Sequence, residues 1–239
     1  MTAADETPGE IFDATHVSFH ERIASSWTDN AAAWTQVVRD GLIPSRQAGT
    51  DAAIVSACLS LGTGPVLDVG CGEGWLVREL GVRGISATGV DVSAPLIDQA
   101  RALGGGVFDV ATYDAIEHDA SVAAGPWRGI VCNFSLLGDP LHPLLSALRA
   151  RLAPEGTLLV QTVHSWSARG DAPYRNAWRT EAFDAFAVAF PTPMPWYYRT
   201  LGSWIAEFAL AGLRVTRLDE PLHPSTGAPL SLLFHCEAM

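Results

Sequence analysis

From residue 65 onward, short apolar runs bounded by glycine alternate with segments of helical period, and this alternation constrains the fold more than any other feature. It is typical of a parallel sheet whose strands are joined by right-handed crossover helices. The predicted strands of this part are Val66–Gly70, Ile85–Val90, Val107–Ala111, Gly129–Asn133 and Thr157–Val163. The sequence therefore predicts an α/β fold built on a doubly wound, mostly parallel sheet.

The alternation stops after residue 163. The stretch 164–200 is rich in Trp, Tyr, Phe and Pro and predicts an insertion on the substrate side of the sheet. Two later strand-like runs, Leu213–Leu218 and Leu230–Cys236, are joined by a proline-containing loop that is too short to hold a helix. Since consecutive strands without a crossover pair antiparallel, we expect the last strand of the sheet to be reversed.

The N-terminal part has a different character. Residues 1–16 are polar and acidic and predict a mobile leader, whereas residues 17–49 carry apolar side chains at helical spacing and predict a helical cap on a domain that occupies 50–239. The acidic start lacks the positive region and the apolar run of a signal peptide. We therefore expect a cytoplasmic protein.

Composition excludes several functional classes. The 239 residues include 15 basic side chains, all arginine and none in a run, against 26 acidic ones, for a net charge of −11. A chain of this charge without a basic stripe is poorly suited to bind nucleic acid. No apolar run is long enough for membrane insertion, and the four cysteines stand singly, without the spacing of a disulfide framework or a metal site.

The strongest motif is the segment that runs from Val66 to Trp75, in which a buried strand leads into three alternating glycines and then a helix. Trp75 stands where a dinucleotide-binding loop needs its third glycine. A pyrophosphate at this loop would also face Asp68 and Glu73, which would offset the attraction of a helix N-terminus for anions. The same carboxylates suit a ligand with positive charge, such as the ammonium and sulfonium groups of S-adenosylmethionine.

A second acid completes the predicted ligand site. Asp91 follows the next strand, 17 residues after Gly74, at the sheet edge where open α/β folds bind ligands. An ionised carboxylate there accepts hydrogen bonds from both hydroxyl groups of a ribose. Each such charge-assisted bond contributes about 1.5 to 3 kcal/mol.

Four segments now resemble the class I S-adenosylmethionine-dependent methyltransferases: DVGCGEG (68–74), GVDVS (89–93), IVCNFSLL (130–137) and RLAPEGTLLVQT (151–162). The resemblance covers about residues 50–239 and is closest to bacterial small-molecule methyltransferases similar to the ubiquinone O-methyltransferases. It implies a Rossmann-like, seven-stranded sheet with its last strand antiparallel, and S-adenosylmethionine as cofactor. Thr112 stands where the family often has an Asp that contacts adenine.

From this resemblance and from the residues themselves we predict a cofactor site and a substrate side. The cofactor-binding residues are predicted to be Arg46, Asp68, Gly70, Cys71, Gly72, Gly74, Asp91, Val92, Thr112, Tyr113, Asn133 and Phe134. Arg46 is included because a cofactor carboxylate needs a cation that the acidic loop lacks. It has an alternative interpretation as a solvated arginine near a helix start.

The substrate side is predicted from residues that follow the fourth and fifth strands. His164 ends the fifth strand, and because histidine titrates near neutral pH it is the candidate catalytic base, with a purely pocket-lining role as the alternative. Trp27, Asn30 and Trp34 are interpreted either as a lid or as ordinary core packing. The predicted substrate contacts are Ser135, Trp166, Trp196, Tyr198 and Arg199.

Three functions remain open from the sequence. The first is an enzyme that transfers a methyl group to an oxygen or nitrogen of a small, aromatic or apolar molecule. The second is a module that binds S-adenosylmethionine without turnover, and the third is an NAD-dependent oxidoreductase. No His and carboxylate cluster at metal-ligand spacing is present, so a metal-dependent mechanism is disfavoured. The oligomeric state is left open.

Overall fold

A computed structural model describes residues 18–239, so the predicted leader 1–16 lies outside the described residues. The described part contains nine strands: β1 (Val66–Val69), β2 (Ala87–Asp91), β3 (Val107–Val110), β4 (Trp127–Asn133), β5 (Leu152–Val163), β6 (Ala177–Glu181), β7 (Met194–Tyr198), β8 (Leu213–Asp219) and β9 (Ser231–Ala238). Seven of them form one sheet in the order β3-β2-β1-β4-β5-β9-β8. Strand β9 runs antiparallel to both of its neighbours, whereas the first five strands are parallel. The predicted fold class is therefore confirmed.

Helices cover both faces of this sheet. They are α1 (Phe19–Asp29), α2 (Ala31–Arg39), α3 (Asp51–Ser60), α4 (Trp75–Val82), α5 (Ala94–Leu103), α6 (Tyr113–His118), α7 (His142–Arg149) and α8 (Leu201–Leu210). None of these helices, all within residues 18–239, has the length and apolar character needed to cross a bilayer.

The alternation of side chains along each strand divides the core into two layers. Leu67 and Val69 of β1 belong to one cluster, together with the leucines of α7 and the aromatic residues of α8. Val66 lies in the other cluster, with apolar residues of α3, α4 and α5. Because successive strand residues point to opposite faces, a sheet covered by helices on both sides needs apolar side chains at nearly every position.

The N-terminal helices are fixed by local polar contacts. Ser18 and Glu21 form a capping box at the start of α1: the Ser18 hydroxyl accepts from the Glu21 amide at 3.2 Å, and the Glu21 carboxylate accepts from the Ser18 amide at 2.7 Å. The chain turns at Asn30 and continues as α2. Strands β6 and β7 form a separate antiparallel hairpin within the insertion 164–200, and α1 packs against β7.

The glycine loop is tightly enclosed where it enters α4. Gly74 has a φ of +84°, and a Cβ atom built on it would lie 2.5 Å from the Phe108 ring and 3.0 Å from the Ala100 methyl group. A side chain at this position is therefore opposed both by backbone conformation and by the packing of β3 and α5.

This double constraint predicts how glycine replacement affects stability. Gly74→Ala is compared with Gly84→Ala, because Gly84 has a similar φ of +81° and nothing within 4 Å of its Cβ position. We expect Gly84→Ala to lower the free energy of unfolding by about 1 to 2 kcal/mol through left-handed backbone strain alone. Gly74→Ala should lower the free energy of unfolding by about 1 to 3 kcal/mol more than Gly84→Ala, because its side chain overpacks the site. Urea denaturation of both variants measures the difference, and equal losses would show that the packing at Gly74 is not restrictive.

Candidate active site

The candidate site lies at the carboxyl ends of β1, β2, β4 and β5. The loop after β1 passes through left-handed conformations at Gly70, Gly72 and Gly74. The amides of Gly70 and Cys71 both donate to the Val90 carbonyl, at 2.8 and 3.0 Å. These bonds tie the loop to the end of β2 and set its distance from Asp91.

Asp91 is held by the backbone on both sides. One carboxylate oxygen accepts from the Gly72 amide at 2.8 Å and the other from the Ser93 amide at 2.9 Å. Burial raises the pKa of Asp91, and hydrogen bonds from Ser93, Gly72 and the half-buried Val92 oppose that rise. Because a carboxylate offers about four acceptor positions, both oxygens keep capacity for ligand hydroxyl groups.

Asp68 lies on the neighbouring strand in a more apolar setting. It is only 2% exposed, and its Oδ1 atom has no hydrogen-bond partner among residues 18–239. Burial, together with the nearby charge of Asp91, raises the pKa of Asp68 to about 7. A buried acceptor without a partner is costly, so this oxygen is suited to a donor that a ligand supplies.

Glu73 and Cys71 make contacts that hold the glycine loop in place. The buried Glu73 carboxylate binds Arg78 of α4 at 2.6 Å and Arg39 of α2 at 3.2 Å, so it faces arginines and links the N-terminal cap to the loop. The Cys71 side chain packs on Gly89, where a Cβ atom would lie 2.7 Å from its sulfur. Burial raises the pKa of Cys71 well above its usual value, which makes the thiol a poor nucleophile.

Arg46 lies beside the same loop. Its Nε atom binds both carboxylate oxygens of Asp51, at 2.8 and 3.0 Å, and its guanidinium stacks on Trp75 at 4.2 Å from the ring centroid. Trp75 directly follows the last glycine, so the guanidinium is close to the cofactor loop. Its terminal nitrogens form no hydrogen bond with the described part of the chain.

Thr112 and Ser135 are occupied by structural hydrogen bonds. The Thr112 hydroxyl accepts from the Ala115 amide at 2.9 Å and caps α6, and its O–H group is left for the predicted contact with adenine. The Ser135 hydroxyl donates to the Val69 carbonyl at 2.6 Å. A Cβ atom built on Gly70 would lie only 2.3 Å from the Cβ atom of Ser135. The prediction that Ser135 faces the substrate does not fit this geometry, because the side chain joins the ends of β4 and β1.

Tyr113, Asn133 and Phe134 lie around the same strand ends. The Tyr113 hydroxyl donates to the Ser135 carbonyl at 2.9 Å, and burial raises the pKa of this tyrosine. The Asn133 Oδ1 atom is buried without a partner among the described residues. Phe134 has a φ of +55°, which is a strained conformation for a non-glycine residue and is typical of functional loops.

His164 is oriented by a residue that sequence reasoning did not find. Its Nε2 atom lies 2.8 Å from Glu220, which belongs to the loop between β8 and β9. Because a carboxylate only accepts, this contact assigns the proton to Nε2 and leaves Nδ1 as an acceptor, 3.4 Å from the Ser167 amide and 3.3 Å from the Ser167 hydroxyl. No local signal marks Glu220, since it is 56 residues away in the chain.

The predicted substrate contacts in the insertion divide into accessible and enclosed residues. Trp166 is 59% exposed, and Trp196 is partly exposed. Tyr198 is fully buried and its hydroxyl donates to the Ser165 carbonyl. Arg199 is 2% exposed and binds Asp139 at 2.7 Å, so the prediction that it meets a substrate anion does not fit the structure, because its charge is already paired inside the protein.

Trp27, Asn30 and Trp34 belong to a cover over the glycine loop. The Asn30 amide group donates to the Thr192 carbonyl at 2.6 Å and accepts from the Thr192 amide at 3.1 Å, which joins the N-terminal helices to the insertion. The Trp34 Nε1 atom lies 3.6 Å from the Cβ position of Gly72. Trp27 packs against Trp34 with ring centroids 5.1 Å apart. Thr192 carries no sequence signal that would have predicted its role.

A separate cavity of about 780 Å³ lies at the opposite edge of the sheet, where β5 begins and β9 ends. Arg128 and Glu155 are among the residues that line it. It contains none of the predicted site residues, and ligands of open α/β sheets bind at the carboxyl edge. The glycine loop and its two buried acids are therefore the better candidate.

Comparison with known proteins gives relatives of one kind. Over 140 residues the chain is 34% identical to a malonyl-[acyl-carrier protein] O-methyltransferase of Salmonella typhimurium, a match that covers 56% of this chain and 53% of that protein. An uncharacterized methyltransferase of Mycobacterium tuberculosis is 33% identical over 130 residues, or 53% of this chain and 64% of that protein. The chain thus spans about half the length of the first relative and under two thirds of the second.

Solved structures show the same fold at low sequence identity. The magnesium protoporphyrin IX methyltransferase of Synechocystis, solved with bound S-adenosylmethionine, has a TM-score of 0.61 at 14% identity and covers 94% of this chain and 99% of that one. The family model described as a methyltransferase domain matches residues 46–218, which include the glycine loop, both buried acids and His164. The chain therefore belongs to the methyltransferase-domain family.

Proposed function

We propose that this methyltransferase passes the methyl group of S-adenosylmethionine to an oxygen or nitrogen of a small, aromatic or apolar molecule. The observation that carries this proposal is the pair of buried carboxylates, Asp68 and Asp91, at the ends of adjacent strands around a loop of three left-handed glycines. Pyrophosphate would be repelled at this point, whereas an ammonium or sulfonium group would be attracted. The NAD-dependent alternative is therefore disfavoured.

The residues present fit this cofactor. The unpartnered Oδ1 atom of Asp68 would accept from the amino group, and the Asp91 carboxylate from the ribose hydroxyls. Arg46 would bind the carboxylate through its terminal nitrogens. The absence of a Cβ atom at Gly72 leaves room for close approach of the cofactor, whereas Gly70 makes room for Ser135. When bound, S-adenosylmethionine supplies a methyl group that its sulfonium already activates.

The residues of the chain then have to align the acceptor and take one proton from it. Asn133 ends β4 and the strained Phe134 follows it, and there they would contact the cofactor and help to align the acceptor with its methyl group. His164 ends the adjacent strand, and Glu220 fixes its ring. Its Nδ1 atom accepts from the Ser167 amide at 3.4 Å, and it would exchange this long contact for a proton from a hydroxyl or protonated amine. Trp27 and Trp34 would exclude water from the site.

Two finer assignments complete the proposal. We extend the proposal to a kinship with ubiquinone O-methyltransferases, which the sequence motifs support, and to a cytoplasmic location. The relatives named above from Salmonella and Mycobacterium are bacterial. The Salmonella protein is, by its name, an O-methyltransferase of malonyl-[acyl-carrier protein], and it supports oxygen as the acceptor atom by analogy.

The role of Asp91 predicts a specific loss of cofactor affinity. We expect Asp91→Asn to weaken S-adenosylhomocysteine binding by about ten- to a hundredfold, because charge-assisted bonds to the ribose are lost. Isothermal titration calorimetry measures the change. The control is Asp109→Asn on β3, since Asp109 is exposed and pairs with Arg101 at the surface. Unchanged affinity in the Asp91 variant would remove this residue from the cofactor site.

The raised pKa of Asp68 predicts a pH dependence of binding. Because the pKa of Asp68 in the ligand-free protein is about 7, the carboxyl is largely protonated at pH 6 and largely ionised at pH 7.5. A ligand ammonium group favours the ionised form, so affinity for S-adenosylhomocysteine should fall by up to about tenfold as pH drops across this range. Asp68→Asn should bind more weakly and abolish the dependence. Retention of the full dependence in Asp68→Asn would assign it to another group.

The proposed base predicts a loss of turnover without loss of cofactor affinity. Methyl-radiolabelled S-adenosylmethionine is incubated with the chain and a small-molecule extract of bacterial cells, and labelled products are counted. We expect His164→Gln to lower labelling at least about a hundredfold, the lower end of general-base effects, with unchanged S-adenosylhomocysteine affinity. His118→Gln serves as the control, because His118 is exposed at the surface. Full labelling by His164→Gln would leave that residue as a lining group, and no labelling by the unmodified chain would favour a binding module.

A further inference from the structure

Two arginines of the insertion, Arg169 and Arg179, meet around one aromatic cluster. The Arg179 guanidinium lies 3.8 Å from the Tyr198 ring centroid, and the Arg169 guanidinium lies 4.1 Å from the Trp166 ring centroid. Tyr174 joins the cluster, with its ring centroid 5.6 Å from Trp166 and 6.4 Å from Tyr198. The cluster therefore brings two positive charges onto neighbouring aromatic rings.

Neither charge is neutralised within residues 18–239. Arg179 donates to the Ala168 carbonyl at 2.8 Å and Arg169 to the Ala172 carbonyl at 3.3 Å, and neither arginine forms an ion pair with a described residue. The Arg169 Nε atom is buried and has no partner there. Since a guanidinium has five N–H donors, most of the hydrogen-bonding capacity of both side chains is unused.

Arginines with a purely structural role look different in this protein. Arg151 is buried and donates to the carbonyls of Val122, Ala147, Ile116 and Asp119, so all three of its nitrogens are engaged. Arg199 has two buried nitrogens without a partner among the described residues, but its charge is paired with Asp139, which distinguishes it from Arg169 and Arg179. Two like charges left near each other in a protein of net charge −11 would repel, and an anion between them would remove that cost.

The cluster lies directly beside the proposed reaction site. The Arg179 guanidinium lies over the Tyr198 ring, and the charges of Arg179 and Arg169 both oppose the rise in pKa that burial gives this tyrosine. The Tyr198 hydroxyl donates to the carbonyl of Ser165, the residue after His164. Ser165 is 2% exposed, and its own hydroxyl has no partner among the described residues. Tyr198 thus connects the aromatic and arginine cluster to the segment that follows β5.

We propose that Arg169 and Arg179 bind an anionic group of the methyl acceptor, a carboxylate or a phosphate, while its flat or apolar part packs on Trp166 and Trp196. The inference rests on the proposed function and narrows its substrate class to small anions. The arginines anchor the acceptor at the end of β5, which places the rest of the molecule towards β4 and the Nδ1 atom of His164.

The test compares charged and neutral probes of one shape. The full chain, saturated with S-adenosylhomocysteine, is titrated with benzoate, phenyl phosphate and neutral benzamide, and binding is measured by calorimetry. We expect benzoate or phenyl phosphate to bind at least about tenfold more tightly than benzamide, as charge-assisted hydrogen bonds imply. The stronger of the two anions then identifies a carboxylate or a phosphate as the preferred group.

Variants assign the effect to the two arginines. Arg169→Gln and Arg179→Gln should each weaken the preferred anion at least about tenfold and leave benzamide unchanged, and Arg179→Lys should restore part of the loss. Arg175→Gln is the matched control, because Arg175 is an exposed arginine of the same insertion. Thermal melts and S-adenosylhomocysteine affinity accompany each titration, so that loss of the fold or of the cofactor site is separated from loss of the anion site.

Three results would overturn the proposal. The first is equal affinity for benzamide and the anions, and the second is failure of both anions to bind. The third is a loss of anion affinity in Arg175→Gln as large as that in Arg169→Gln and Arg179→Gln. Failure of S-adenosylhomocysteine to bind the unmodified chain would instead contradict the proposed function.

Discussion

The site depends on two carboxylates that the sheet holds close together in a buried position. The parallel register of β1 and β2 places Asp68 and Asp91 at one edge, and the burial of Asp68 together with the charge of Asp91 makes ionisation of Asp68 unfavourable. The backbone amides of Gly72 and Ser93 stabilise Asp91, whereas Asp68 has an oxygen without a partner in the described chain. A cationic ligand satisfies both requirements at once, because it neutralises the repulsion and supplies the missing donor.

The cover above this edge is built from segments that are far apart in sequence. Asn30 and Thr192 exchange two hydrogen bonds over 162 residues, and Arg39 of α2 binds Glu73 in the glycine loop. The N-terminal helices are thereby coupled both to the insertion and to the loop. Since methyl transfer by in-line displacement needs alignment and a dry pocket more than covalent help, this coupling is the main structural contribution of the region outside the sheet.

Much of the fold follows from local patterns in the sequence, because strand and helix periods and glycine positions are local properties. The reversed last strand was predictable from the missing crossover between Leu218 and Leu230, whereas the number of strands was implied by the family resemblance. The partners of the site residues were not predictable, since they depend on long-range packing: Glu220 meets His164 across 56 residues. Likewise, nothing near Ser135 in the sequence indicates that its hydroxyl joins β4 to the Val69 carbonyl rather than facing a substrate.

The central claim is that the charge of the glycine loop selects a sulfonium cofactor over a phosphorylated one. Parallel calorimetric titrations of the full chain with S-adenosylhomocysteine and with NADH test it most directly. The account predicts micromolar binding of S-adenosylhomocysteine and no measurable heat with NADH at the same concentrations. Micromolar binding of NADH, with none of S-adenosylhomocysteine, would contradict it.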